Sequence, residues 1–205
     1  MTRFLHMRRP RTWFVLAFVA YALVIRLVPY LLPRIGVEVP LDRMVYPWNF
    51  SPMMALCLFA GAHCTRRELA CLAPLLIMLV SDALIGLISG SIHNAFYQHT
   101  VIVYGAFAAC TCFGFLLREQ RSAWKIGGSA LSAQILFFLV TNFGVWAGTG
   151  MYTADFSGLV TCYVAALPFF RNSLIALAVF TPIAFSSLAL LPELKPVPVR
   201  AVNNG

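Results

Sequence analysis

The chain has 205 residues, of which 60% are hydrophobic and only 11% are charged, against roughly 45–50% and 25% in a soluble globular domain. A domain of this size cannot bury so large an apolar excess, so the composition argues against a soluble protein and predicts a surface that faces lipid. The net charge of +8 does not indicate nucleic acid, because the basic residues occur in short runs between apolar stretches. Their expected partner is the anionic surface of a bilayer.

The apolar stretches predict an all-α, polytopic bundle of about six transmembrane helices. A bilayer core needs about 20 mainly apolar residues per helix. The first five predicted spans are Trp13–Leu32, Asn49–Cys64, Leu69–Gly90, His99–Leu117 and Ile126–Ala147. The first follows a basic segment as a signal peptide would, but its length and the absence of a clear cleavage site predict a retained helix.

The last apolar stretch, Phe156–Leu191, is too long for one crossing. Arg171 and Asn172 are predicted to divide it, and two prolines favour a break or kink. We expect an interfacial or re-entrant segment over Ser157–Phe169, followed by a sixth helix from Asn172 to Leu191. The alternative is a seventh span.

The distribution of basic residues predicts that both termini face the cytoplasm. With the N-terminus inside, eleven Lys and Arg fall in inner segments and two in outer segments, which agrees with the positive-inside rule. The inner eleven are Arg3, Arg8, Arg9, Arg11, Arg66, Arg67, Arg118, Arg121, Lys125, Lys195 and Arg200, and the outer two are Arg34 and Arg43. The predicted organisation is a basic segment over 1–12, a six-helix domain over 13–191 and a flexible tail over 192–205, in a plasma (inner) membrane.

Asp82 is the clearest candidate for a functional group inside the membrane. It follows Ser81 in the outer half of the third predicted helix. Ionisable groups inside a bilayer are costly and are therefore functional candidates by default. Asp82 either pairs with a Ser, Asn or Arg on a neighbouring helix or binds a ligand or ion, and the sequence leaves both open.

Other polar and aromatic groups are expected at the same outer level, from several different helices. Such convergence is how small-molecule pockets are built. The predicted substrate-binding residues are Asp82, Asn49, Ser51, Asn142 and Arg171, with Trp48 and Trp146 as walls. The alternatives are a helix cap for the residues at 49 and 51 and an interfacial aromatic belt for the tryptophans.

Two arginines within apolar stretches have several possible roles. Arg171 either snorkels to a headgroup, pairs with Asp82 or Asp155, or meets an anionic ligand. Arg26, late in the first helix, is expected to snorkel to the outer surface.

Pairs of small residues at helical spacing predict close helix contacts, within the chain or with another membrane subunit. They are Gly86/Gly90, Gly128/Ser132 and Ser129/Ala133.

Catalytic and cofactor motifs are missing from the sequence. It contains no P-loop and no GxSxG or HExxH string, and these would mark nucleotide, serine or zinc chemistry. We expect no enzymatic activity, no cofactor and no metal centre.

Several strings resemble a family of small, functionally uncharacterised bacterial multi-pass membrane proteins. They are Asn49-Phe50-Ser51-Pro52, Ser81-Asp82, Thr141-Asn142-Phe143-Gly144-Val145-Trp146-Ala147 and Pro168-Phe169-Phe170-Arg171-Asn172. The resemblance covers about residues 45–185, and the chain departs from it after Asn172.

The size and helix count of that family are similar to those of the substrate-binding S components of energy-coupling factor transporters. That likeness implies a vitamin or metal ion bound near the outer face. It also implies docking on a transmembrane coupling subunit that carries ATPases. Ala17, Ala20 and Ala22 do not have the spacing of the alanine-rich docking motif on the first helix of those proteins.

The leading hypothesis is a substrate-binding subunit of a small-solute uptake transporter, with its site in the outer half of the bundle. The alternative is a structural or assembly factor of a membrane complex, whose polar residues serve packing alone. A membrane enzyme acting on lipid would need a paired acid and base, which the sequence does not clearly supply.

Overall fold

The computed structural model describes residues 10–37 and 50–190, which form seven α-helices and one 3-10 turn. They are α1 (Thr12–Leu31), a 3-10 turn (Leu32–Ile35), α2 (Met53–His63), α3 (Arg67–Ser89), α4 (Ile92–Ala95), α5 (Thr100–Phe115), α6 (Ala123–Thr149) and α7 (Phe156–Ala184). Six of them have eleven residues or more, and within these ranges there is no strand, only an isolated bridge between Pro10 and Leu190. The predicted all-α fold is confirmed. Most of the predicted N-terminal segment (1–9) and the predicted tail (192–205) lie outside the described residues.

Four of the helices are long and apolar enough to cross a membrane: α1 with its 3-10 turn, α3, α6 and α7. Large apolar side chains on these helices are exposed, including Leu16, Leu76, Leu139 and Val164. A soluble fold would bury such side chains, whereas lipid solvates them. Length and composition together indicate a membrane protein.

The predicted division of the last apolar stretch is wrong. Residues 156–184 form one continuous helix of 29 residues, with Pro168 and Pro182 inside it. The prolines are tolerated because neighbouring groups in a transmembrane bundle re-satisfy the backbone groups that they free. Pro168 is exposed, so its ring does not disturb the packed side of α7. Neither a re-entrant segment nor a seventh span is present in this part of the chain.

The shortest of the six helices, α2, lies at the centre of the bundle. Ten of its eleven residues are buried, and it packs against α3, α5, α6 and α7. Eleven residues rise only about 16 Å, whereas the 27 residues of α6 rise about 40 Å. Space therefore remains in the bundle beyond the first turn of α2.

The two ends of the described chain meet at one end of the bundle. The backbone N–H of Arg11 donates to the Ala189 carbonyl at 2.8 Å, and the Arg11 Nε donates to the Leu190 carbonyl at 3.1 Å. Here α1, α3 and α6 begin, and α2, α5 and α7 end. We call this the basic end, because it carries Arg11, Arg66, Arg67, Arg118, Arg121 and Lys125.

Glycines bring α2 and α5 into backbone contact near the basic end. A Cβ added at Gly61 would lie 2.8 Å from the Cα of Gly114 and 2.4 Å from the Thr111 carbonyl oxygen. The predicted small-residue pairs make close contacts only in part: a Cβ added at Gly86 would lie 3.2 Å from the Cβ of Ala95, and Ala133 is buried against α5. Gly90 ends α3 in a left-handed conformation (φ +70°), and a Cβ added at Gly128 would have no neighbour within 4 Å. The close helix crossing is made by a pair that the spacing pattern did not indicate.

Two arginines of the α5–α6 connection cap the C-terminal end of α2. The Arg118 guanidinium donates to the carbonyls of Gly61 (2.9 Å) and Cys64 (2.8 Å), and Arg121 donates to the Ala62 carbonyl (3.1 Å). The last carbonyls of a helix lack intrahelical partners, and cations are favourable at this end of the helix dipole. These bonds fix the position of α2 within the bundle.

We expect Arg118→Met to lower the free energy of unfolding by about 2–3 kcal/mol, because hydrogen bonds to charged groups contribute about 1.5–3 kcal/mol. The measurement is unfolding in mixed micelles titrated with sodium dodecyl sulfate, followed by tryptophan fluorescence. Lys125→Met is the matched control, since the exposed ammonium group of Lys125 donates only to the side chain of Gln120 among the described residues. Equal losses in the two variants would contradict a capping role for Arg118.

Candidate functional site

A buried polar network joins three helices in the half of the bundle away from the basic end. Asp82 (3% exposed) and Ser81 (0%) lie on the inward face of α3. Arg26 of α1 forms an ion pair with one carboxylate oxygen of Asp82, and its Nε donates to the Ser81 hydroxyl at 2.7 Å. The Tyr104 hydroxyl of α5 donates to the other carboxylate oxygen at 2.7 Å. We call these four residues the Arg26–Asp82 network.

Both carboxylate oxygens of Asp82 have partners within the bundle. These contacts agree with the interpretation that Asp82 pairs with neighbouring helices. Pairing with an arginine offsets the cost of burying each charge. The expectation that Arg26 snorkels to the surface is wrong, because its guanidinium turns inward to α3. Pairing of Asp82 with Arg171 does not occur.

A cavity of about 430 Å³ lies beside this network, between α1, α2, α3, α5, α6 and α7. Most of its wall is aromatic or made of long apolar side chains: Ile25, Pro29, Met53, Met54, Met78, Ile85, Val103, Phe107, Phe137, Phe138, Val145, Phe169 and Phe170. The polar part of the wall consists of Arg26, Tyr30, Ser51, Tyr97, His99, Gln134, Thr141, Asn142 and Ser173. Because the start of α2 forms part of the wall, the shortness of that helix accounts for the space.

Gln134 marks the deep end of the cavity. It lies near the middle of α6 and is 5% exposed, and no described residue forms a hydrogen bond with its amide. From Gln134 to Val145 the cavity follows eleven residues of α6, or about 16 Å. The amide lines the cavity, where its oxygen and nitrogen can bond to a water molecule or to a solute.

Two further polar groups stand along the same side of α6. The Asn142 amide nitrogen donates to the Phe138 carbonyl at 2.8 Å, and the Thr141 hydroxyl donates to the Phe137 carbonyl at 2.7 Å. Each bond stays within the helix and leaves an oxygen that can accept a hydrogen bond. The amide oxygen of Asn142 has no donor among the described residues.

The other end of the cavity lies where α4 leads into α5. Partial desolvation raises the pKa of Tyr97 above its ordinary value and lowers the pKa of His99, which favours the neutral form of both side chains. The Nδ1 atom of His99 is buried and has no partner in the described part of the chain. This end therefore offers neutral hydrogen-bonding groups.

The structure brings some of the predicted site residues together and separates others. Ser51 and Asn142 line the cavity, and Asp82 lies behind its wall, joined to it through Arg26. Arg171 is exposed on α7 and does not line the cavity.

The aromatic wall predicted from the sequence has different members in the structure. Trp146 is half-buried outside the cavity, where its indole N–H donates to the Thr153 carbonyl at 2.9 Å. Trp48 and Asn49 lie outside the described residues. Among the described residues, phenylalanines of α5, α6 and α7 supply the aromatic part of the wall. The Oγ of Ser51 accepts a bond from the Met53 N–H at 3.3 Å, which fits the predicted capping role at the start of α2.

The comparisons with known proteins give a family and no function. No curated protein and no solved structure matches the chain. The model of a family of unknown function, DUF6580, matches residues 6–199, which is nearly the whole chain. The chain therefore belongs to the DUF6580 family.

Proposed function

We propose that this protein is a membrane-embedded subunit that captures a small solute in the cavity beside the Arg26–Asp82 network. The observation that carries the proposal is the amide of Gln134, which lines the cavity near the middle of α6 and has no hydrogen-bond partner among the described residues. Ligand pockets combine a mainly apolar wall with a few oriented polar groups, and this cavity has both features.

The chemistry of the wall favours an uncharged, partly aromatic solute. A volume of about 430 Å³ lies within the range of about 300–1,000 Å³ that is usual for small-molecule sites. Among the described residues that line the cavity, Arg26 is the only one with a charged side chain, and Asp82 already balances it. A charged solute would have to lose its hydration without gaining a counter-charge from the described residues, which is costly.

We place the chain in the membrane with six crossings and the basic end in the cytoplasm. The basic residues collected at one end support this orientation, and the meeting of the two chain ends there supports an even number of crossings. The cavity then lies in the outer half of the bundle. Capture there followed by transfer to a transmembrane coupling subunit with ATPases, as in energy-coupling factor transporters, is the mechanism that we propose for uptake.

The capture function is tested by native mass spectrometry of the gently purified protein. We expect one small molecule bound per chain, and we expect Gln134→Leu to reduce its occupancy at least tenfold, because a good buried hydrogen bond contributes about 1–1.5 kcal/mol and the shape of the site also changes. Gln120→Leu is the matched control, since Gln120 is exposed in the α5–α6 connection and its replacement should leave occupancy unchanged.

Two results would contradict the proposal. One is a protein that carries no solute but retains a second membrane subunit in fixed ratio, which would support the structural or assembly role instead. The other is a bound solute whose occupancy falls equally in the Gln134→Leu and Gln120→Leu variants, because the cavity would then not be its site.

A further inference from the structure

The observation is a single charge in the middle of an exposed apolar helix face. Arg171 is exposed on α7, and the described residues offer it no hydrogen bond or ion pair. Along the same side of the helix lie Val160 (44% exposed), Val164 (58%), Leu167 (51%) and Ile175 (47%). With 3.6 residues per turn, this side lies roughly opposite the one that lines the cavity. We call these five residues the α7 outer face.

Arg171 lies too deep to reach either membrane surface. It follows Phe156 by 15 residues and precedes Ala184 by 13, which places it about 22 Å and 20 Å from the two ends of α7. The twelve residues from Asn172 to Ile183 are mainly apolar, so the helix remains in the hydrocarbon on that side as well. The half-thickness of the hydrocarbon core is about 15 Å, and a side chain of three methylenes and a guanidinium spans less than half of that distance. Snorkelling therefore does not bring the charge to a headgroup.

None of the carboxylates that the structure describes supplies a counter-charge to Arg171. Glu68, Glu119 and Asp155 lie at or beyond helix ends, and Asp82 is already bound to Arg26. A second copy would offer the same four groups, so an isologous dimer through α7 would bring two Arg171 side chains near each other and leave both unpaired.

We propose that the α7 outer face docks a transmembrane helix of a different protein, which presents an Asp or Glu carboxylate to Arg171 near the middle of the membrane. A bidentate pair of guanidinium and carboxylate is the strong form of such a contact, and the flanking Val, Leu and Ile side chains supply the apolar packing around it. Ionisable groups inside a membrane face a partner or a water-filled cavity, and Arg171 faces away from the cavity described above. The inference depends on the membrane placement of α7 but not on the identity of the solute.

The test is photo-crosslinking in intact cells, with p-benzoylphenylalanine in place of Val164 in the full chain. We expect a light-dependent adduct with another membrane protein, whose crosslinked helix carries an Asp or Glu in its middle third. Arg171→Leu should reduce the yield of the adduct at least tenfold, whereas Arg171→Lys should retain half of it or more. Exchanging the charges, with Arg171→Glu here and the partner's acid replaced by arginine, should restore the adduct.

A second measurement separates lost docking from lost folding. The purified Arg171→Leu protein should unfold at the same detergent concentration as the unchanged protein or at a higher one, because the charge has no partner among the residues that the structure describes. The proposal is overturned if the Leu and Lys variants crosslink equally. It is also overturned if the adducts form only with lipid, only with a second copy of this chain, or with a helix that lacks a carboxylate.

Discussion

Replacing Asp82 with alanine is expected to lower the free energy of unfolding by about 3–5 kcal/mol, the usual cost of removing one partner from a buried ion pair. The change leaves the Arg26 guanidinium without its counter-charge and leaves the Tyr104 hydroxyl without an acceptor. The loss is measured by unfolding in mixed micelles titrated with sodium dodecyl sulfate. Arg26→Met alone should also destabilise strongly, because it leaves Asp82 buried and unpaired.

The double variant, Arg26→Met with Asp82→Ala, is the decisive control. An apolar replacement of both partners removes the unpaired charge, so the double variant should be more stable than either single variant. Tyr104→Phe should cost only about 1–2 kcal/mol, since it removes one hydrogen bond and leaves the ion pair in place.

Two outcomes would contradict this role for the network. If the losses from the two single variants simply add, Arg26 and Asp82 do not interact energetically. If Asp82→Ala leaves stability unchanged and abolishes solute binding, the carboxylate belongs to the ligand site, which is the other alternative that the sequence allowed.

The sequence predicts well the helices that coincide with a single apolar stretch. The boundaries of α1, α3, α5 and α6 fall within three residues of the predicted spans, because charged, polar or turn-forming residues flank each of these stretches. The division of α7 was wrong because Arg171 and Pro168 were interpreted as breaks. Both lie on the exposed side of the helix, where neither interrupts packing, and an apolar run does not show which side a residue faces.

The Arg26–Asp82 pair can be predicted from the sequence. Arg26 follows the start of α1 by 14 residues and Asp82 follows the start of α3 by 15, which places opposite charges at about 21 Å and 22 Å from the basic end. Opposite charges at equal depth inside a bundle favour an ion pair, so the two depths together predict that Arg26 is the partner of Asp82. Gln134 was missed for a different reason: a neutral amide carries no charge signal, although it is the only glutamine within the described helices.

The cavity itself could not be predicted from local patterns. It exists because α2 begins at Met53, several residues after the apolar stretch begins. The first turn of α2 therefore lies partway through the bundle. The depth of that first turn depends on the contacts between α2 and α5 near the basic end. The glycines that make this contact, Gly61 and Gly114, are more than 50 positions apart in the chain.

Alanine at Gly61 or at Gly114 is expected to destabilise the protein by about 3 kcal/mol, at the upper end of the usual cost of overpacking. A methyl group at Gly61 would lie 2.4 Å from the Thr111 carbonyl oxygen, and one at Gly114 would lie 2.4 Å from the Leu58 carbonyl oxygen. Both obstacles are backbone atoms, which cannot rotate away as a side chain can. The helices must separate, and the packing on both sides of α2 is lost with them.

Gly127→Ala and Gly128→Ala on α6 are the matched controls, because nothing lies within 4 Å of a Cβ at either position. Alanine in a helix is favoured over glycine by roughly 0.5–1 kcal/mol, so these variants should be slightly more stable in the same detergent titration. If alanine at positions 61, 114 and 128 changed the free energy of unfolding by the same amount, α2 and α5 would not be in rigid contact. Met53 and Met54 carry the start of α2 into the cavity wall, so a shift of α2 at Gly61 should also weaken retention of the solute, while the α6 controls should retain it.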